Sequence, residues 1–521
     1  VEVMGNVNQV IEELLVYGEN KGLLGEWDKI AARNRIREIL AIESSPAEPL
    51  IAEDISSPLD PQPLLDQLLA YAVKVGLISD QITEKDLLDT KIMGALTPRQ
   101  SEVSRNFYQT AETEGIKRAT VEYYNFAKAT NYIRQARIAR NINWTAENKY
   151  GQIEITINLS KPEKDPAEIE KARNQVQSNY PSCFLCLENV GYPGNFKHPA
   201  RQNHRVIPLK LQNEDWFLQY SPYVYYNEHC IVFHRQHIPM RINKNTFAVL
   251  LDFVEKLPHY FIGSNADLPL VGGSILSHDH YQGGRHIFPM EEAEEEAYYL
   301  HPTFPDLEIS RLKWPLSVIR LKAAVREDII NLAAKVLTAW REYSDPELNI
   351  LAFSEQDQQK TPHNTITPIA RQKNNLYELD LVLRNNRKDE EYPEGIFHPH
   401  RELHHIKKEN IGLIEVMGRA ILPGRLKAEL NLISDYLSGK LEFSDLENRA
   451  ELQKHLAWIK LLKNKYGTSL SSEKAEKVLE AEVADKFSRV LEDAGVYKNN
   501  AVGQQGFDRF MASLGIEKKE F

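Results

Sequence analysis

The strongest constraint on the fold is a change of hydrophobic period near residue 150. Before it the spacing is helical. Val7, Val10, Ile11, Leu14 and Leu15 recur at intervals that lay them along one face of a helix. Gly18 and Gly22 then punctuate the chain, and Leu64, Leu65, Leu68, Leu69, Tyr71, Ala72 and Val75 predict a second buried helix ending near Gly76. After Gly151 the period falls to two. Ile153, Ile155, Ile157 and Leu159 alternate with Glu154, Thr156 and Asn158, the pattern of a half-buried strand. Further strands are expected at Tyr223–Tyr226, Cys230–Phe233 and Ser274–His280, and around Leu379, Leu381 and Leu383. Helical spacing returns at Ile329–Trp340 and dominates from Leu426 onward. Lys161–Lys171, charged and holding Pro162 and Pro166, reads as a surface loop leading into a helix. The acidic run Glu291–Glu296 after Pro289 reads as a helix start, where carboxylates meet the positive end of the dipole.

Strands grouped centrally between helical ends predict an α+β fold rather than a regular βαβ alternation. The 521 residues exceed what one core usually organises. The expected division is a helix-rich region at 1–150, a strand-bearing region at 151–345, and a second α+β half with a helical extension at 346–521. The net charge of -11 argues against a nucleic-acid partner, because phosphate contacts need clustered Lys and Arg. Three cysteines, Cys183, Cys186 and Cys230, make no disulfide framework. Val1-Glu2-Val3-Met4 opens no secretory pattern, and no apolar run approaches the roughly 18–20 residues that span a bilayer. A cytoplasmic setting away from membranes is expected.

The most informative stretch is Asp267–Gly284, which reads DLPLVGGSILSHDHYQGG. Gly272 and Gly273 allow a tight turn or close backbone approach. On a strand, His278, His280 and Gln282 would share one face, with neighbours about 6.5–7 Å apart. Two imidazoles and an amide suit phosphoryl chemistry. An imidazole nitrogen can attack phosphorus and split one hard step into two, and an amide N–H can donate to a phosphoryl oxygen as charge shifts there. Metal binding without catalysis, or a satisfied core pair, are the competing readings of the same residues.

This segment resembles the signature of the class II galactose-1-phosphate uridylyltransferases. Its His-x-His-x-Gln core is also similar to the histidine-triad superfamily. Supporting resemblance runs through Asn158–Asp165 and Asn227–Phe233. The resemblance implies a histidine-triad-like antiparallel sheet, duplicated along the chain. It implies uridylyl transfer from UDP-glucose to galactose 1-phosphate, giving UDP-galactose and glucose 1-phosphate, with no organic cofactor. It also implies a homodimer. By the same carry-over His280 is the nucleophile and Gln282 a phosphate contact, while Asn265 resembles a nucleotide-contacting Asn. Ser274 and Ser277 are nearby hydroxyls for phosphate. A hydrolase or phosphorylase of the same superfamily, or a noncatalytic nucleotide- or metal-binding protein, are the alternatives.

Cys183-Phe184-Leu185-Cys186 has the spacing of a metal knuckle, although two buried thiols can also serve as small hydrophobes. Similarity to the class I uridylyltransferases implies a structural zinc completed by His278 and by a His after the strand at Cys230–Phe233. That points to His237, with His234 as competitor. Zinc there would brace the segment carrying His280. The string His398-Pro399-His400 resembles a class I motif but lacks the following Gln, and Pro399 disfavours a central strand; it reads as a loop. Glu415 resembles a hexose-contacting Glu, and Lys408 just before it is a candidate phosphate contact, with a solvated face the alternative for either residue. Arg134 and Arg137 share a basic helix face suited to a diphosphate or simply to solvent.

Overall fold

The computed structural model describes residues 2–43, 60–160, 179–356 and 359–520. The expected loop at Lys161–Lys171 lies outside them. The chain forms two compact units, Val1–Arg140 with Ser160–Ile238, and Asn141–Leu159 with Pro239–Phe521.

The first unit opens as the period-3.6 stripe requires. Glu2–Asn20 is a helix, and Val7, Val10, Ile11, Leu14 and Leu15 are each buried. They join Leu64, Leu65, Leu68 and Leu69 of the helix Gln62–Lys74 in one core. Gly18 matters here: a Cβ on it would stand 2.8 Å from Leu96 Cδ2. Three antiparallel strands follow, Ile207–Leu211, Glu214–Tyr220 and Cys230–His234. Gln212 and Asn213, at φ 49° and 64°, make the first turn, the left-handed pair that matches strand twist in a two-residue hairpin. The strand expected at Tyr223–Tyr226 is absent; those residues form turns, with Val224 at φ 42°. The aromatic run has β propensity, but turn geometry overrides it.

In the second unit Ile142–Asn148 pairs with Gly151–Asn158. Ile153, Ile155 and Ile157 point inward, as the alternation requires, and Arg419–Pro423 adds in parallel. The main sheet of this unit is antiparallel. Its strands run Glu517–Lys518, Glu295–Leu300, Glu308–Leu312, Val318–Ala323, Leu376–Asn385, Asn364–Lys373, Phe261–Gly263 and His280–Gly284 in spatial order. The helices Lys244–Lys256 and Arg326–Glu342 pack against it, and Leu379, Leu381 and Leu383 are fully buried. Helices Leu426–Leu437, Leu456–Tyr466, Ser472–Ala494 and Ala501–Ser513 form the expected C-terminal extension. The architecture is α+β with large antiparallel sheet structure.

Two sequence expectations give way in this unit. The strand forecast from Ser274 begins only at His280. The acidic run after Pro289 makes a single 3-10 turn, Pro289–Glu292, and then a strand, Glu295–Leu300. Its carboxylates meet cations rather than a helix dipole: Glu294 pairs with Lys313, and Glu296 with Arg311.

The chain also repeats itself. Three strands, a helix and two strands run from Ile207 to Gly284, and the same order runs from Glu295 to Asn385, the second time with a small hairpin inserted at Phe353–Pro362. The strand Leu376–Asn385 thus holds the place in the second series that His280–Gly284 holds in the first.

Candidate active site

His280 is the first residue of its strand and is buried. Its Nδ1–H donates to the His278 carbonyl at 2.8 Å. A carbonyl can only accept, so the proton sits on Nδ1 and the lone pair on Nε2. Burial pushes the imidazole pKa down to about 4, which keeps the ring neutral at ordinary pH. Gln282 follows two residues on, half-buried and on the same strand face. His278 is fully buried but precedes the strand. The pleat therefore aligns His280 with Gln282 and not with His278.

The neighbouring strand positions Asn265. Phe261, Ile262 and Gly263 pair with Gly284, Gly283 and Gln282, and Asn265 follows two residues after the last of these pairs. Asn265 is buried, and its Oδ1 accepts from the Leu413 N–H at 2.9 Å. Gly273 folds back onto it, for a Cβ there would stand 2.7 Å from Asn265 Nδ2. Ser274 and Ser277 lie in the irregular stretch between this turn and His280, both exposed.

In the first unit Cys183, Cys186 and His237 converge. The two sulfurs are 3.5 Å apart, and Cys186 Sγ lies 3.1 Å from His237 Nδ1. Asn189 ties the knuckle, its Nδ2 donating to the carbonyls of Cys183 and Cys186 at 2.8 Å each. Burial and the adjacent Cys183 push the Cys186 thiol up to about 12, so a bound cation is what would release its proton. This donor set is compatible with zinc. His234 turns to other work: its Nδ1 accepts from the Gln236 N–H at 3.1 Å and its ring meets Trp216 edge-on.

The remaining sequence candidates separate. Arg134 Nη2 donates to Asp89 Oδ1 at 2.7 Å, and Arg137 Nη1 to Asp86 Oδ2 at 2.8 Å; both guanidinium groups are paired within their own unit. Glu415 is buried and accepts from Lys407 Nζ at 2.9 Å and from the Gly412 N–H at 3.2 Å. Lys408 is exposed, and Lys407 is the buried lysine. The residues 398–400 form a loop, as read; His398 Nε2 lies 3.4 Å from Asn410 Oδ1, and His400 Nδ1 3.5 Å from Asp493. Two residues escaped sequence reasoning. Lys407 was hidden behind its neighbour. Arg384, at the end of the apolar strand Leu376–Asn385, is fully buried and donates from Nη2 to the Ile411 carbonyl at 2.9 Å. An arginine on the polar alternation of that strand was the signal.

Residues 23–239 match the galactose-1-phosphate uridyl transferase N-terminal domain, and residues 253–448 match the corresponding C-terminal domain. The chain belongs to the galactose-1-phosphate uridyl transferase family. Galactose-1-phosphate uridylyltransferase of Caldanaerobacter subterraneus subsp. tengcongensis is 53% identical over 511 residues, 98% of each chain. Those of Fusobacterium nucleatum, 50% identical across 97% of this chain and 98% of the relative, and Bacillus subtilis, 49% identical across 97% and 98%, carry the same name. Membership of this family makes the chain a nucleotidyltransferase. Among the described residues no helix is long and apolar enough to cross a membrane.

Proposed function

We propose that this member of the family transfers uridylyl from UDP-glucose to galactose 1-phosphate through a covalent intermediate on His280. The observation that carries the reading is the tautomer of His280: with Nδ1–H donated to the His278 carbonyl, a buried neutral Nε2 presents its lone pair. Nε2 attacks the α-phosphorus of UDP-glucose, a P–N bond forms, and the bond from phosphorus to the glucose 1-phosphate oxygen breaks. A phosphate oxygen of galactose 1-phosphate then attacks the uridylyl group, the P–N bond breaks, and UDP-galactose leaves. Each step inverts phosphorus, so the pair retains it. Gln282 and Asn265 donate to phosphoryl oxygens as charge develops, with Ser274 and Ser277 at the rim and Glu415 toward the hexose.

Zinc would be held by Cys183, Cys186 and His237 and would supply rigidity there, taking no part in the bond changes. The same reading includes a cytoplasmic homodimer, which light scattering of purified protein would check. The central experiment is intact-mass analysis after incubation with UDP-glucose alone. A gain of one uridylyl group with release of glucose 1-phosphate is expected; an unshifted mass under rapid quench, with no ping-pong pattern in the steady state, would refute the mechanism. Omitting galactose 1-phosphate from the full reaction separates transfer from hydrolysis.

A further inference from the structure

The segment Ile411–Glu415 is registered on the main sheet of the second unit from three directions. The face it crosses can be read from the strand pairing. Gly263 stands opposite both Gln282 and Ile369, and Thr365 opposite Arg384 on the next pair. Directly paired residues share a face, so His280, Gln282, Gly263, Thr365 and Arg384 all belong to one side of the sheet. Arg384 holds the Ile411 carbonyl at 2.9 Å. Asn265 Oδ1 holds the Leu413 N–H at 2.9 Å. Leu413 itself needs the glycine at 263, because a Cβ there would stand 2.8 Å from its Cδ1 and 2.9 Å from the Pro368 carbonyl. The segment ends in the short helix Leu413–Val416, whose Glu415 is locked by Lys407 and Gly412.

Arg384 is an odd choice for a purely structural brace. Its guanidinium is buried, its two Nη groups meet only neutral acceptors, the Ile411 carbonyl and Thr367 Oγ1 at 3.4 Å, and its Nε has no partner among the described residues. Desolvation brings its pKa down to about 10, with Glu415 opposing. A buried cation bonded to no carboxylate adds little net stability, and an apolar side chain of similar length is often tolerated in its place. What it does supply is a fixed position for one carbonyl, and so for the chain that leads to Glu415.

We propose that Arg384 is a positioning residue for the hexose 1-phosphate, acting through the Ile411 carbonyl to set the distance between Glu415 and the His280 face. The inference rests on the uridylyl-transfer reading above. It predicts that the segment, once released, loses grip on the sugar phosphate while the nucleophile stays competent.

The experiment compares wild type, Arg384→Met and Arg384→Lys. Uridylyl uptake at His280 from saturating UDP-glucose counts competent sites, and steady-state kinetics give KM for galactose 1-phosphate and kcat per competent site. Losing one buried hydrogen bond to a charged donor should raise that KM about ten-fold in Arg384→Met, with kcat changed less than about three-fold. Arg384→Lys, which can still reach the carbonyl, should recover part of the loss. Gly263→Ala, which displaces Leu413 without touching Arg384, should raise the same KM and covers the case in which Arg384→Met fails to fold. An unchanged KM in Arg384→Met, or in Gly263→Ala if only that variant folds, overturns the proposal. So does a fall confined to the number of competent sites, which is what a general folding role produces. If wild type takes up no uridylyl group, the transfer reading fails first, and the two failures are told apart.

Discussion

Asp380 sits where the second repeat places its counterpart of the His280 strand, and its removal should be among the costliest single changes in the unit. Its carboxylate is fully buried. It accepts from Arg320 Nε at 2.7 Å and Nη2 at 2.9 Å, and from Arg371 Nη2 at 2.5 Å. Both guanidinium groups are themselves buried, and Arg371 also donates to Glu378 at 2.8 Å. Asp380→Asn keeps the shape and deletes the charge that two buried cations share. Breaking such a pair from one side costs about 3–5 kcal/mol. Urea denaturation followed by far-UV circular dichroism should show the midpoint fall accordingly. Glu473→Gln is the control: its partner Lys477 and it are 71% and 78% exposed, and surface pairs are worth about 0–1 kcal/mol. Replacing Arg320, Arg371, Asp380 and Glu378 together by Met, Met, Leu and Leu should be far milder than the single change, since no charge is left stranded. A loss below about 1 kcal/mol for Asp380→Asn, or a four-fold variant as damaged as the single one, would refute the reasoning. The pH dependence has a definite sign. Burial alone would raise the Asp380 pKa, but the charges of Arg320 and Arg371 hold it at about 2, below an unfolded value of about 3.9. Its stabilisation is therefore complete above the unfolded value and is lost as pH falls through the folded one.

Other outcomes follow from the site. His280→Gly should remain folded by circular dichroism yet show no uridylyl adduct and a turnover reduced at least about a thousand-fold, in line with deletion of a covalent nucleophile. Cys183→Ser or His237→Ala should lower zinc per chain, measured by plasma emission on unchelated protein, to below half of wild type; equal zinc in both variants would dismiss the knuckle. Lys407→Met leaves Glu415 buried without its cation and should raise KM for galactose 1-phosphate about ten-fold or more, whereas Lys408→Met, altering an exposed side chain, should leave it within about two-fold.

Much of this was legible because local periodicity and tertiary burial agree. The stripe from Val7 to Leu15, the alternation from Ile153 to Ile157 and the helix Arg326–Glu342 all lie where their spacing put them. The knuckle and His237 were legible by resemblance, and the structure brings those three together. Less was legible where a residue's partner is remote in sequence. The carboxylates of Glu291–Glu296 looked like a helix start until Arg311 and Lys313 claimed two of them. Arg134 and Arg137 looked solvent-facing or ligand-facing because nothing local announced Asp86 and Asp89. The extended run before His280 looked like strand from its composition, but the strand begins only at His280. The pairing of Lys407 with Glu415 was obscured by a second lysine at 408, and only burial chooses between them.

The hydrogen bond from His280 to the His278 carbonyl has a chemical corollary. A free imidazole is an ambident nucleophile, with two nitrogens competing for an electrophile. Here one nitrogen is masked by the chain's own backbone two residues away, much as a protecting group masks one site of a reagent. Any adduct formed on this ring should be a single regioisomer, phosphorylated at Nε2, and phosphorus–proton couplings in the digested peptide would read that regiochemistry directly.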